Sequence, residues 1–238
     1  MKTIGLLGGM SWESTAEYYR LLNELTRERR GGLHSAPCVL YSVDFARIEQ
    51  LQVAGRWEEA GTVLAEAAVA VQAAGADLLL ICTNTMHKVA DQVAAAVRIP
   101  LVHLADTTAA AVRAQGLRRV GLLGTAFTME QDFYRGRLAA HGLQVLTPGA
   151  DGRRRVHEVI YEELCLGVVR EESRRYFRDV IADLVAAGAE GVVLGCTEIE
   201  LLIGGDDSPV PVFATTLLHC EAAVTLALTP AEPGCAGP

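Results

Sequence analysis

What most constrains this chain is that it is written twice. Ile4-Gly5-Leu6-Leu7-Gly8 returns as Val120-Gly121-Leu122-Leu123-Gly124, and Ala74-Gly75-Ala76-Asp77 returns as Ala187-Gly188-Ala189-Glu190, at offsets of 116 and 113 residues. Between those marks Ile81-Cys82-Thr83-Asn84 matches Gly195-Cys196-Thr197-Glu198, and Ile99-Pro100-Leu101-Val102 matches Val210-Pro211-Val212-Phe213. The order is kept throughout, which implies two related folding units with a cysteine at the same place in each.

Short apolar runs alternate with helical patterns along nearly all of the 238 residues, as parallel α/β architecture requires. Strands are expected over residues 3–7, 38–42, 78–81, 101–104, 120–123, 142–146, 192–194 and 210–213. The expected fold is α/β with two pseudo-symmetric lobes, each a mainly parallel sheet flanked by helices. Residues 1–105 together with 210–238 are assigned to the first lobe and 106–209 to the second, with a closing helix near 217–228. The tail 229–238, rich in Pro, Gly and Ala and carrying Cys235, shows no periodicity.

Half of the residues are apolar and the formal charge is -8. That balance argues against nucleic acid or an anionic membrane as partner, since both need a basic face. No stretch has the length of a membrane span, and the first apolar run ends too early, at Ser11-Trp12-Glu13, for a signal segment. A cytoplasmic protein with thiols rather than disulfides is expected, so cysteine reactivity becomes the question.

In parallel sheets the functional crevice lies beyond the carboxyl ends of the strands. Cys82 follows the run 78–81 and Cys196 follows 192–194, each just before a helical pattern, and Thr197 and Glu200 have capping-box spacing. Thr128 and Gln131 have the same spacing in the second unit. Helix starts carry unpaired N–H groups that favour an anion, so thiolates are expected at both cysteines near neutral pH. Two repeat-related thiols suit a reaction that needs a base and an acid on opposite faces of one carbon.

Other chemistries fit poorly. Gly5 to Gly9 lacks the third glycine of a dinucleotide fingerprint, and no Gly-Lys-Ser/Thr follows. Only Lys2 and Lys88 occur, whereas pyridoxal-phosphate racemases need a Schiff-base lysine in the site; no cofactor is therefore expected. Neither Cys82 with His87 nor His219 with Cys220 has zinc-ligand spacing, so no metal is expected. No G-x-S-x-G elbow is present.

The motifs Gly8-Gly9-Met10-Ser11-Trp12-Glu13-Ser14-Thr15, Cys82-Thr83-Asn84-Thr85-Met86-His87-Lys88 and Gly195-Cys196-Thr197-Glu198-Ile199 resemble the aspartate/glutamate racemase superfamily, on its aspartate racemase side. The resemblance spans residues 1 to 228. It implies two lobes with the site between them, a small amino-acid substrate, no cofactor and a homodimer, and it assigns the acid/base pair to Cys82 and Cys196. It further implies that Thr83, Asn84, Thr85, Thr125 and Thr197 cradle the substrate's carboxylate and amine, that Met10 and Gln52 line the pocket, and that Arg47 lies where aspartate-specific members hold the distal carboxylate. A departure falls at Ile160-Tyr161-Glu162-Glu163, where such members have a lysine and this chain has glutamates, which leaves neutral or cationic substrates open. The competing readings are another reaction of the superfamily (maleate isomerase, hydantoin racemase or malonate decarboxylase), a non-catalytic solute-binding module, or a Cys82–Cys196 disulfide pair.

Overall fold

The computed structural model describes residues 1–230; Cys235 and the rest of the expected tail lie outside them. Two separate parallel sheets form, with strand orders β2-β1-β3 and β5-β4-β6-β7. The first contains β1 (Ile4–Gly8), β2 (Cys38–Ser42) and β3 (Leu78–Ile81), and the second β4 (Arg119–Gly124), β5 (Gln144–Leu146), β6 (Gly191–Gly195) and β7 (Val212–Ala214). Strands β1, β3 and β6 are buried along their whole length, which explains their unbroken apolar runs: a parallel strand covered by helices on both faces has no solvent side.

The strand expected at 101–104 shrinks to a single parallel bridge between Leu79 and Leu101. This bridge is the first sheet's counterpart of β7, which pairs with β6 through Val192↔Val212 and Leu194↔Ala214. The return to the first lobe, expected from residue 210, is therefore delayed. The strand 212–214 completes the second sheet, and only the next helix crosses over.

That crossing is symmetric. Helix α5 (Leu104–Ala114) follows the first repeat yet packs its Leu104, Ala105, Ala109 and Val112 into the second lobe, against Val120, Leu122, Tyr134 and Phe213. Helix α10 (Thr215–Leu228) follows the second repeat and packs Cys220, Ala223, Val224 and Ala227 into the first lobe, against Ile4, Leu6, Tyr18 and Leu80. Each lobe is thus closed by the other repeat's last helix, which ties the lobes together through two apolar cores. Among the described residues no helix is long and apolar enough to cross a membrane.

A buried polar seam runs between the crossing helices. His219 binds the Tyr18 hydroxyl at 2.9 Å through Nδ1 and the Val102 carbonyl at 2.7 Å through Nε2. Its ring lies 5.8 Å from that of His87, which lies 4.6 Å from that of His103. Burial pushes His87 and His219 down to about 3 and His103 to about 4, so all three imidazoles serve as neutral hydrogen-bonding groups at neutral pH.

Candidate active site

The turns after β1, β3, β4 and β6 converge between the lobes on one cleft with about 440 Å³ of empty space. Gly9 makes the first turn feasible: its φ of +88° is open to glycine, and a Cβ there would lie 2.2 Å from the Val43 carbonyl oxygen. The following residue Met10 lines the cleft, as do Gln52 from α2 (Phe45–Val53), Thr83, Asn84, Thr85, Thr125, Cys196 and Thr197. These eight expected site residues come together.

Two do not. Arg47 is exposed on α2 and borders a separate surface cleft with Arg56 and Glu59, because the helix turns Ile48, Leu51 and Gln52 inward. Cys82 is fully buried and lines no part of the cleft; it packs in the first lobe's core with Ile4, Leu6, Tyr18 and Cys220. The reason is the period of two along a strand. Leu78 and Leu80 face that core while Leu79 and Ile81 face the opposite one, and Cys82 continues the first series.

Strand register shows which residue matches Cys196. Leu7 pairs with Ile81 in the first sheet, so the repeat-equivalent glycines Gly8 and Gly124 stand opposite Cys82 and Gly195. One residue further, the counterpart of Cys196 is Thr83. It follows that Asn84 corresponds to Thr197 and Thr85 to Glu198. Matching the identical Cys-Thr pairs displaced the sequence alignment by one residue from the offset of 113 that Ala74 and Ala187 define.

Side-chain hydrogen bonds join these turns across the molecule. Thr85 Oγ1 meets Thr125 Oγ1 at 3.3 Å, reaching from the first lobe's β3 turn to the second lobe's β4 turn. Symmetrically, Ser11 Oγ donates to Glu198 Oε1 at 2.8 Å, between the β1 and β6 turns. Thr197 bonds Ser14 Oγ at 2.8 Å, and Asn84 Nδ2 donates to Thr215 Oγ1 at 3.2 Å. Thr83 is held through its backbone: its carbonyl accepts from His87 Nδ1 at 2.8 Å, and His87 Nε2 accepts from the Leu104 amide at 3.2 Å.

Neither expected capping box forms. Residues Thr197–Leu201 make a 3-10 turn without a side-chain cap, and Glu200 instead accepts from the Thr216 amide at 3.1 Å. In the second lobe Thr125 is the cap, accepting from the Thr128 amide, while Gln131 takes Lys88 Nζ at 2.5 Å. Lys88 thus spans the lobes and also lies 4.0 Å over the Trp57 ring.

Expected thiolates at both cysteines are also corrected. Burial pushes the Cys196 thiol well above its ordinary value, and the neighbouring Glu198 adds to the rise. Its Sγ donates to Glu198 Oε2 at 3.0 Å. Burial raises Cys82 as well. Cys196 is therefore held as a thiol, hydrogen-bonded to the Glu198 carboxyl group.

Sequence reasoning gave no role to Ser11, Ser14, Phe45, Ile160, Tyr161, Cys165 or Glu198, all of which line the cleft. Glu198 was legible only as the second residue after Cys196. Glu162 is exposed, and Glu163 is buried away from the cleft, accepting from Ser173 Oγ at 2.6 Å with Arg170 and Arg155 at 3.5 and 3.8 Å.

Glu200 beside this site makes stability pH-dependent. Burial pushes its carboxyl up to about 7, against an ordinary value of 4.5. Between those values the unfolded chain releases the proton and the folded protein keeps it, so stability falls as pH rises through this window. Glu200→Gln should remove the loss and gain about 1–3 kcal/mol on the wild type on going from about pH 5 to about pH 8, at roughly 1.4 kcal/mol per pKa unit and allowing for residual solvent access. Urea unfolding at both pH values measures the gain.

Two related parallel α/β lobes thus bring their strand-end turns together on one thiol-bearing cleft. The model of the Asp/Glu/hydantoin racemase family matches residues 7–223, and the chain belongs to this family. A candidate Asp/Glu racemase from Yersinia pestis is similar at 53% identity and a TM-score of 0.91, over 96% of this chain and 100% of that one. An aspartate racemase homologue from Pyrococcus horikoshii is similar at 35% identity and a TM-score of 0.85, over 95% and 99%. Picrophilus torridus aspartate racemase shares the fold, at 20% identity and a TM-score of 0.77 over 95% and 94%.

Proposed function

We propose that this protein racemises an α-amino acid without pyridoxal phosphate, with Cys196 and Thr83 as the groups on the two faces of the α-carbon. The observation that carries the reading is that register-equivalent residues of the two repeats, one a thiol and one a hydroxyl, line a single interlobe cleft. Family membership and the similarity to the Pyrococcus aspartate racemase homologue support it. Neither lysine lines the cleft, which leaves no amine there for a Schiff base.

The rest of the lining suits the invariant part of an amino acid. Gln52 Oε1 and Asn84 Oδ1 are buried acceptors without a partner, either of which an α-ammonium would satisfy. We assign the α-carboxylate, where negative charge grows as the α-proton leaves, to the hydroxyls of Ser14, Thr85, Thr125 and Thr197, which line the cleft. Cys196 passes its thiol proton to Glu198, and the thiolate then takes the α-proton to become a thiol again. Thr83 donates its hydroxyl proton to the opposite face of the carbanion; its side chain is half-buried, water restores that proton, and the hydroxide so formed takes back the proton that Glu198 received, which returns every group to its starting state.

Incubation in heavy water with single L-amino acids, followed by mass spectrometry and chiral chromatography, tests the reading. Solvent deuterium should appear at Cα together with the D-enantiomer and without added pyridoxal phosphate. Absence of both across acidic and neutral amino acids would remove the proposal. Glu198→Gln should slow racemisation by about 10²-fold or more, as loss of a proton acceptor does, and should also slow alkylation of Cys196 by iodoacetamide.

A further inference from the structure

The same cleft has a second wall that the reaction does not use. Met10, Phe45, Ile160, Tyr161 and Cys165 line it with carbon, sulfur and one phenol. Phe45 belongs to α2, which follows the edge strand β2, and Ile160 and Tyr161 belong to α8 (Ala150–Glu162), which follows the edge strand β5. Corresponding helices of the two repeats thus supply apolar lining to the cleft that the hydroxyl-rich turns also line.

The charged groups that a second substrate carboxylate would need are engaged elsewhere. Glu198 is the only Asp, Glu, Lys or Arg among the described residues lining the cleft, and it is acidic. Lys88 is bonded to Gln131 and covers Trp57. Arg155 and Arg170 flank Glu163, and Arg47 is exposed on another surface cleft. A distal carboxylate entering this wall would be stripped of water with no cation to meet it, and would share the cleft with Glu198.

We propose that the preferred substrate carries an uncharged, mainly apolar side chain of the size of methionine or leucine, packed against Met10, Phe45, Ile160 and Tyr161. This deepens the racemase reading and rests on it. The stem of such a side chain replaces water on carbon surfaces, whereas aspartate and glutamate leave their charge unpaired.

The test measures α-deuterium incorporation and inversion for L-methionine, L-leucine, L-aspartate, L-glutamate and L-lysine separately with the full-length protein. Methionine or leucine should exceed aspartate and glutamate in kcat/KM by at least about tenfold, and lysine likewise, in keeping with the discrimination a pocket of the wrong polarity imposes. Aspartate, glutamate or lysine turned over as fast as methionine and leucine overturns the side-chain assignment alone. Exchange with none of the five overturns the racemase reading and this proposal together. Tyr161→Lys, which sets an ammonium in the apolar wall, should raise the aspartate-to-methionine ratio about tenfold; an unchanged ratio in the folded variant overturns the placement of the side chain on this wall. The wild-type panel decides the proposal whether or not the variant folds.

Discussion

Cys196→Ser is expected to lower racemisation by about 10²–10⁴-fold, the usual contribution of a positioned acid–base group, whereas Cys82→Ala should leave kcat within a few-fold of the wild type. The two cysteines look alike in sequence and differ in surroundings. Cys196 reaches the cleft and donates to Glu198; Cys82 is sealed in a core with Tyr18 and Cys220. Replacing a thiol by a hydroxyl at Cys196 keeps the size and the hydrogen bond but substitutes a much weaker acid, so the loss appears in rate. At Cys82 the deletion removes one buried sulfur, and the cost belongs to stability, on the order of 1–2 kcal/mol as for a small truncation in a packed core. Parallel chiral assays and urea titrations separate the two effects. Equal loss of rate in both variants, with both folded, would restore a two-thiol site and end the assignment of Thr83.

Thr83→Ala divides the reaction into its halves. Proton removal by Cys196 remains, while delivery to the opposite face loses its donor. Inversion should fall by about 10²-fold or more, and the substrate enantiomer whose α-hydrogen faces Cys196 should still exchange with deuterium from solvent. Cys196→Ser should lose both inversion and that exchange. Thr83→Cys provides a second reading of the same site: it places a thiol at the register-equivalent position and should retain inversion. If Thr83→Ala inverts at the wild-type rate, the hydroxyl takes no part and water reaches that face. His87 holds the Thr83 carbonyl and the first amide of α5 at once, so the assay also requires that the variant keep its far-ultraviolet spectrum.

Much of the architecture was legible because a repeat and a run of apolar strands constrain a chain strongly. The bounds of β2 and β3 coincide with the expected 38–42 and 78–81, and the turns bearing Cys196, Thr125 and Met10 lie where strand ends must leave them. Local pattern was less informative where two geometries compete for the same residues. Thr197 and Glu200 have the spacing of a helix cap, yet they are drawn to Ser14 and Thr216 across the molecule. Arg47 is near Gln52 in sequence, but the helical turn sends one to solvent and the other into the cleft.

The amino-acid order by itself determined the duplication, the parallel α/β class and the importance of the turns following β3 and β6. These are properties of composition and period, which any compact folding of the chain must respect. Tertiary structure alone decided which of two adjacent residues, Cys82 or Thr83, faces the cleft, and that β7 stays in the second sheet while α10 crosses to the first lobe. A one-residue shift in a strand exchanges core for cavity, and only the hydrogen-bonded register between Leu7 and Ile81 fixes that choice.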